Sequence, residues 1–196
     1  MYLIGIDEVG RGPIAGPVAV GACVLLVPRI ALSFKNFKDS KKLSERQREE
    51  WFKRIYDAEK KGLLKTKVTF VSEKIIDSKG LSYAIRSALS TSLTKLKVSP
   101  QKSHVLLDGG LKAPAQYLHQ TTIIKGDEKE LAIALASIVA KVLRDRKMTQ
   151  LAKKYPGYGF EVHKGYGTKN HYTALRNKGV SVVHRRSFLA NFLAQN

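Results

Sequence analysis

The sequence predicts an α/β protein in which helices pack against a mixed, five-stranded sheet. Five short apolar runs are typical of largely buried strands: residues 2–6, 18–27, 63–71, 104–107 and 121–124. Longer segments, chiefly 81–96 and 131–148, repeat apolar side chains at intervals of three and four residues, as amphipathic helices do. Two strands followed by alternating helices and strands favour a mixed sheet covered by helices.

The first two strands are expected to form a hairpin, because a turn rich in glycine and proline, residues 10–17, joins them. Ser44 is followed three residues later by Gln47, a capping-box pattern that predicts a helix from this point to about Lys60. Residues 75–80 predict only a short turn or the start of a helix.

The composition favours a compact protein with a polyanionic partner. The chain has 196 residues, of which 43% are hydrophobic, which is enough for one domain with a real core, or a domain with a short appendage. Its 35 Lys and Arg against 16 Asp and Glu leave a net charge of +19, which suits nucleic acid or an acidic membrane surface. A generally basic protein, or one bound to the ribosome, would have the same charge.

The single cysteine, Cys23, excludes a disulfide framework and fits a reducing compartment, so we expect a cytoplasmic protein. Charged residues interrupt the first apolar run, which argues against a secretory signal. The apolar run at 12–28 is short and contains prolines and glycines, so we expect no membrane segment. We also expect a monomer.

Two adjacent carboxylates, Asp7 and Glu8, end the first apolar strand. The simplest interpretation is an exposed turn with two solvated acids. Fold stability does not require such a pair, however, and Mg²⁺ and Mn²⁺ prefer hard oxygen ligands. The pair therefore indicates a metal site.

Three further acids bear on this site. Asp108 ends the strand at 104–107, and if that strand runs parallel to the first one the two strand ends meet at one sheet edge; a turn-forming Asp-Gly is the alternative. Asp127 precedes the helix at 131–148, and its local sequence predicts an N-cap, a position that still leaves one oxygen for a ligand. Asp145 is a rival fourth acid, but pairing with Lys141 one helical turn earlier is the interpretation we prefer.

The turn at residues 10–12 is Gly-Arg-Gly, which offers backbone N–H groups and one guanidinium to a phosphate or a ribose. A dinucleotide site is a weaker interpretation, because the glycine spacing is wrong and a strand follows instead of a helix. Further along, aromatic residues alternate with lysine, histidine and glycine between Tyr155 and Tyr172. Packed tyrosines explain most of them, but Tyr166 lies between glycines and could stack on a sugar or base. The histidines are expected to be structural.

Taken together, these motifs resemble the ribonuclease HII family, the type 2 ribonucleases H. The resemblance rests on blocks in the family's order along nearly the whole chain: residues 5–13, 39–44, 107–109, 125–127, 136–145, 163–166 and 184–188. It implies an RNase H-like fold with a catalytic domain at 1–150 and a helical, substrate-binding C-terminal extension at 151–196.

The resemblance also implies an activity: endonucleolytic cleavage of RNA in RNA–DNA hybrids, and incision 5′ of single ribonucleotides embedded in duplex DNA, leaving 5′-phosphate and 3′-hydroxyl ends. Mg²⁺ or Mn²⁺ would be the cofactor, with two ions when substrate is bound. The family's catalytic and metal-binding carboxylates fall on Asp7, Glu8, Asp108 and Asp127.

The resemblance places substrate contacts as well. The family's ribose-sensing turn falls on Gly10, Arg11 and Gly12, and its stacking tyrosine on Tyr166. Basic side chains in the matched blocks are additional candidates for phosphate contacts: Lys41, Lys42, Lys141, His184 and Arg186. The apolar tail at 188–193 could pack on the domain or contact a replication protein. Gly110 and Leu135 depart from the family pattern without touching a carboxylate.

Two other classes of protein share some of these features. Another nuclease or an integrase-like enzyme of the same fold would have the same acids and a different substrate. A silent nucleic-acid-binding module would explain the charge but not the spaced acids.

Overall fold

The computed structural model describes residues 1–27, 30, 33–34 and 43–195. Within them, five strands form one sheet in the order β3-β2-β1-β4-β5. Their bounds are β1 Tyr2–Val9, β2 Val18–Leu25, β3 Leu64–Val71, β4 Ser103–Asp108 and β5 His119–Ile123. The predicted five-stranded mixed sheet is confirmed.

The strand pairing determines which strand ends meet. β1 and β2 form the predicted antiparallel hairpin, and β3 is antiparallel to β2. β4 runs parallel to β1, with Tyr2 opposite Ser103 and Ile6 opposite Leu107. The carboxyl ends of β1 and β4 therefore lie side by side, as predicted for Asp7 and Asp108.

The described helices are α1 Glu45–Lys60, α2 Glu73–Lys79, α3 Leu81–Leu96, α4 Gly126–Lys129, α5 Leu131–Lys154, α6 Phe160–His163, α7 Lys169–Lys178 and α8 Ala190–Gln195. The predicted capping box of α1 is confirmed, since the Gln47 N–H donates to Ser44 Oγ at 3.2 Å and the Ser44 N–H donates to Gln47 Oε1 at 2.8 Å. In the part of the chain with coordinates, none of the helices has both the length and the apolar character needed to cross a bilayer.

One local prediction is wrong. Asp127 does not cap the long helix but lies inside the short helix α4, and the N-cap of α5 is Glu130. The Glu130 N–H donates to the Gly126 carbonyl at 2.8 Å, and Glu130 then turns to an extended conformation before α5 begins. Because α4 adds a helical turn before α5, Asp127 does not occupy the position of a residue that caps α5.

Two glycines let α5 lie directly on the sheet. A Cβ added to Gly5 of β1 would lie 2.0 Å from the backbone carbon of Ala132, and one added to Gly21 of β2 would lie 2.4 Å from the Ala136 carbonyl oxygen. Any larger residue would push the helix away. This contact places the first turns of α5 beside the carboxyl end of β1.

Three apolar clusters hold these layers together. The first joins the sheet face that carries Ile4 and Ile6 to α3, and the second joins the opposite face to α1 and α5. The third packs side chains of the 14–15 segment and of α5 against the chain after residue 155, including Leu189 of the predicted apolar tail. The division at residue 150 stays a prediction, since α5 runs through it to Lys154.

Candidate active site

A cleft of about 340 Å³ opens at the carboxyl edge of β1 and β4. It is lined by Asp7, Glu8, Val9, Arg48, Asp108, Ser137, Ile138, Lys141 and Tyr166. A larger cleft, of about 670 Å³, lies at the opposite end of the sheet, and the start of β1, the end of β2 and the residues before β4 line it. None of its described lining residues is acidic. Because acidic side chains line the smaller cleft, it is the candidate active site.

Asp7 is the most perturbed acid of this cleft. It is buried, and its pKa is raised from 3.8 to about 7: burial is the largest cause, the negative charges of Glu8, Asp108 and Asp127 act in the same direction, and a hydrogen bond with Ser137 opposes the rise. Its Oδ1 accepts the Glu8 N–H at 2.8 Å. Charge at this position is thus unfavourable unless a cation compensates it.

Glu8 faces the Gly-Arg-Gly turn. Its Oε1 accepts a hydrogen bond from Arg11 Nη1 at 2.8 Å, while its Oε2 is buried with no hydrogen-bond partner among the described residues. Burial raises the pKa of Glu8, and the Arg11 contact opposes this rise. A buried carboxylate oxygen without a donor is unusual in a stable protein, because its desolvation is uncompensated.

The other two acids come from neighbouring elements. Asp108 Oδ1 accepts the Gly126 N–H at 2.6 Å, which fixes the start of α4 to the end of β4. Asp127 in α4 is 1% exposed, and its charge reaches Asp7 strongly enough to raise the pKa of that acid. The structure therefore brings together all four acids predicted for the site.

The donor set fits a hard divalent cation: four carboxylates, one oxygen without a partner, and a mutual repulsion that a bound cation would relieve. Glu8 is turned toward Arg11 and Asp108 toward Gly126, and no three acidic, histidine or cysteine side chains of the described residues are placed to hold one ion as they stand.

The Gly-Arg-Gly turn and Tyr166 lie next to each other beside this cleft. Gly10 has φ +90°, a backbone conformation that favours glycine. A Cβ at Gly12 would lie 3.8 Å from Tyr166 Cε1, and the Tyr166 ring is 43% exposed. An open aromatic face and backbone N–H groups thus border the acids on one side.

The remaining predicted contacts have different locations. Lys141 lines the cleft and pairs with Asp145 at 2.8 Å, which confirms the pairing preferred for Asp145. His184 is 2% exposed and both of its ring nitrogens have protein partners, so its ring does not reach a phosphate in this structure. Arg186 is exposed, and its N–H donates to Asp77 at 2.9 Å. Lys41 and Lys42 lie outside the described residues.

Two residues of the cleft were missed by sequence reasoning. Ser137 of α5 hydrogen-bonds Asp7, and Arg48 lines the cleft from the first turns of α1. Helical periodicity gives the face on which each lies, but not which strand end that face meets. The close approach of α5 to Gly5 decides it for Ser137, and no local pattern signals that approach.

Comparisons with known proteins agree with this geometry. The family model described as Ribonuclease HII matches residues 4–191. Ribonuclease HII of Bacillus cereus strain G9842 is 46% identical over 187 residues, which are 95% of this chain and 68% of that protein.

Two solved structures share the fold. Ribonuclease H2 of Pyrococcus horikoshii OT3 superposes with a TM-score of 0.79 and 26% identity, covering 100% of this chain and 98% of the other. Ribonuclease HII of Archaeoglobus fulgidus, solved in complex with PCNA, superposes with a TM-score of 0.73 and 25% identity over 94% of both chains. The chain belongs to the ribonuclease HII family and is a ribonuclease H, an endonuclease that hydrolyses the RNA of RNA–DNA hybrids.

Proposed function

We propose that the cleft at the end of β1 is the catalytic centre and that Asp7, Glu8, Asp108 and Asp127 hold Mg²⁺ or Mn²⁺ there, two ions when substrate is bound. The convergence of these four acids beside the Gly-Arg-Gly turn is the observation that carries the proposal. When bound, such cations lower the pKa of water and neutralise charge on a phosphodiester.

The chain's own groups would bind and orient the substrate. Arg11 presents a forked guanidinium, now engaged with Glu8, that matches a phosphate. Tyr166 presents an open ring next to Gly12, suited to stacking against a sugar or base. Lys141 adds positive charge inside the cleft. Contacts to the 2′-hydroxyl are what distinguish RNA from DNA. The Gly-Arg-Gly turn and Tyr166 together offer polar backbone groups and an aromatic face for such contacts.

The reaction we propose is incision 5′ of a single ribonucleotide embedded in duplex DNA, in addition to cleavage of hybrids. Water adds to the phosphorus, the bond to the 3′-oxygen breaks, and that oxygen takes a proton. The products are a 5′-phosphate on the ribonucleotide and a 3′-hydroxyl on the upstream strand. The acids need not form a covalent bond with the substrate.

The partner and the compartment follow from charge and thiol chemistry. The net charge of +19 would draw a duplex to the protein and make binding weaker at high salt. Cys23 is a buried free thiol, which fits the reducing cytoplasm that we propose. We further propose a monomer, to be tested by light scattering, where a dimer mass would contradict it.

The C-terminal segment is our proposed contact with a replication protein, by analogy with the Archaeoglobus fulgidus complex with PCNA. Leu189 is 1% exposed and belongs to the core, whereas Leu193 is 36% exposed and faces outward. Calorimetry with the PCNA counterpart from the same source should detect binding to wild type that Leu193→Ser weakens. Equal binding of both proteins would exclude this surface.

The catalytic proposal is tested with a labelled DNA duplex that carries one ribonucleotide. Wild type with Mg²⁺ should cut on the 5′ side of the ribonucleotide, and EDTA or Asp7→Asn should abolish the cut. Asp57→Asn, which neutralises an exposed acid of α1, is the matched control and should cut normally. Cutting of an all-DNA duplex would indicate a different nuclease of this fold, and the absence of any cut by wild type would contradict the proposal.

A further inference from the structure

Two consecutive buried residues, His184 and Arg185, lie behind the substrate side of the molecule. They are 2% and 0% exposed. Their backbone is fixed to the glycine-rich loop, because the Arg185 N–H donates to the Ile14 carbonyl at 2.8 Å and His184 forms an isolated β-bridge with Ala15. Their side chains diverge from there, one toward the Gly-Arg-Gly turn and one toward Tyr166.

The Arg185 guanidinium supports the Gly-Arg-Gly turn from below. Its Nη2 donates to the Gly10 carbonyl at 2.7 Å, its Nη1 to the Arg11 carbonyl at 3.0 Å, and its Nε to the Gly16 carbonyl at 2.9 Å. The Phe188 ring lies 5.2 Å from the guanidinium carbon and covers it. These three hydrogen bonds connect the planar guanidinium group of Arg185 to three peptide carbonyl groups.

These bonds dictate where the next N–H groups point. In a trans peptide the carbonyl and the following N–H are antiparallel. With the carbonyls of Gly10 and Arg11 directed at Arg185, the N–H groups of Arg11 and Gly12 must point away from it. Successive N–H groups that face one way form an anion-binding concavity. One buried arginine therefore sets two donors of the predicted ribose- and phosphate-sensing turn.

A chain of hydrogen bonds leads from His184 to Tyr166. The Ser181 N–H donates to His184 Nδ1 at 3.0 Å, the Nε2 atoms of His184 and His171 lie 3.1 Å apart, and His171 Nδ1 lies 2.8 Å from the Tyr166 carbonyl oxygen. A carbonyl only accepts, so His171 Nδ1 carries a proton and His171 Nε2 accepts from His184 Nε2–H. Each ring is neutral and both of its nitrogens are used.

A second buried arginine joins the two sides. Arg144 donates from Nε to the Pro17 carbonyl at 3.0 Å and from Nη1 to the Lys164 carbonyl at 3.1 Å. Its side chain also fills the space behind Gly10, where an added Cβ would lie 2.2 Å from Arg144 Nε. The Gly-Arg-Gly turn and the Tyr166 segment thus cannot move independently.

We infer that Arg185 and His184 are positioning residues for ribonucleotide recognition: Arg185 aligns the N–H groups of Arg11 and Gly12, and His184, through His171, fixes the main chain that carries Tyr166. Neither side chain touches the substrate. The inference rests on the proposed function, in which these two elements recognise the ribonucleotide.

The test measures preference, not activity alone. Binding of a duplex with one ribonucleotide and of the all-DNA duplex of the same sequence is measured by fluorescence anisotropy in EDTA, which prevents cutting. Arg185→Lys keeps the charge but loses the fork, so it should reduce the ratio of the two affinities about tenfold, the loss expected for one misplaced charged or backbone hydrogen bond. Its salt dependence should stay that of wild type, and Arg176→Lys, on the exposed side of α7, should change neither.

Two near-isosteric variants test the role of His184. His184→Gln retains a donor near the position of Nε2 and should preserve most of the preference, whereas His184→Asn places its amide near Nδ1, loses the bond to His171 and should reduce the preference. His119→Gln, at an exposed histidine of β5, is the matched control. If Arg185→Lys fails to melt cooperatively, the difference between His184→Gln and His184→Asn decides.

The outcomes separate this inference from the proposed function. If wild type itself shows no preference for the ribonucleotide, the recognition part of the proposed function fails. If wild type shows the preference and the folded Arg185→Lys and His184→Asn variants keep it in full, the positioning roles are excluded while the proposed function stands.

Discussion

The two halves of the candidate site both bury charge, and they do so in opposite ways. On the acid side, Asp7 and Glu8 have raised pKa values, chiefly because of burial, and Glu8 Oε2 has no partner in the described structure. On the other side, Arg185 is fully buried but donates to three carbonyl groups. The acid side is electrostatically incomplete without a cation. Arg185, in contrast, has an acceptor for each of its three guanidinium nitrogens, although the neighbouring Arg144 leaves its buried Nη2 without a partner among the described residues. This difference separates the proposed ion-binding centre from the side chain that supports the Gly-Arg-Gly turn.

The largest effect should come from Asp7→Asn. If Asp7 is the metal ligand that we propose, its loss should reduce cleavage more than about 100-fold, beyond what loss of an outer-shell partner causes. The same change should stabilise the metal-free protein at pH 8 by roughly 1–3 kcal/mol, because it removes a buried charge. Cleavage assays and urea unfolding in EDTA measure the two effects.

The sign of the stability effect depends on pH. Burial raises the pKa of Asp7 from 3.8 to about 7 in the folded protein. The favourable contribution of Asp7 to the free energy of unfolding is fully present below about pH 4 and is lost as the pH rises through 7. Asp7→Asn should therefore raise the free energy of unfolding at pH 8 and should not raise it at pH 4. A variant that is destabilised equally at both values would contradict the acid half of the comparison.

On the arginine side, truncation should destabilise. Arg185→Met leaves two buried carbonyls and one partly buried carbonyl without a donor and should lower the free energy of unfolding by roughly 3–5 kcal/mol. Arg146→Met removes a solvent-exposed ion pair with Glu49, with Nε at 3.1 Å, and should lower it by less than about 1 kcal/mol. Urea unfolding of the pair measures the difference, and equal losses would mean that Arg185 is no better integrated than a surface residue.

The histidine chain should make stability fall with acid. Burial lowers the pKa of both His171 and His184 from 6.5 to about 4, aided by the facing charge of His163, whose ring stacks on His171 at 4.2 Å. The other titratable neighbour is Tyr158, with its ring 5.0 Å from that of His184. The contribution of His171 and His184 to the free energy of unfolding is fully present above pH 6.5 and is lost as the pH falls through 4.

The free energy of unfolding should therefore drop by roughly 2 kcal/mol for each of the two histidines between pH 7 and pH 5. The slope due to Asp7 has the opposite sign in this window, so the measurement is made in the Asp7→Asn background. Adding His171→Asn should remove about half of this drop, because His184 remains, and His119→Gln should leave the drop unchanged. A curve that keeps its slope without His171 would assign the acid sensitivity to other groups.

The smallest effect concerns Ser137, whose hydrogen bond lowers the pKa of Asp7. Ser137→Ala should raise that pKa further, by less than about one unit. A carboxyl NMR titration in EDTA measures it, with Ser82→Ala at an exposed position of α3 as the control. An unchanged or lowered pKa would exclude Ser137 as a partner that matters.

The sequence sufficed for features that depend on local pattern. Apolar runs predicted the strands, and a carboxylate at the end of two of them predicted that Asp7 and Asp108 would meet once those strands ran parallel. The capping box at Ser44 gave the start of α1. For Asp127 the local pattern predicted an N-cap, which is wrong because a cap and a one-turn helix share the same sequence signals; only the family resemblance grouped it with the other three acids.

Features made by distant segments could not be predicted in this way. His171 and His184 meet through loops, at a spacing that no motif encodes. Arg185 was not among the predicted contacts, yet its guanidinium donates to carbonyl groups that lie 169 to 175 residues earlier in the chain. Burial of a charged side chain depends on the whole fold, and local sequence does not reveal it.

The central claim is that the four acids form a cation site, and direct ion binding tests it best. Titration of Mn²⁺ by electron paramagnetic resonance should show binding to wild type and to Asp57→Asn, and binding at least about tenfold weaker to Asp108→Asn. Equal affinity of Asp108→Asn and wild type, or no binding to wild type, would contradict the account.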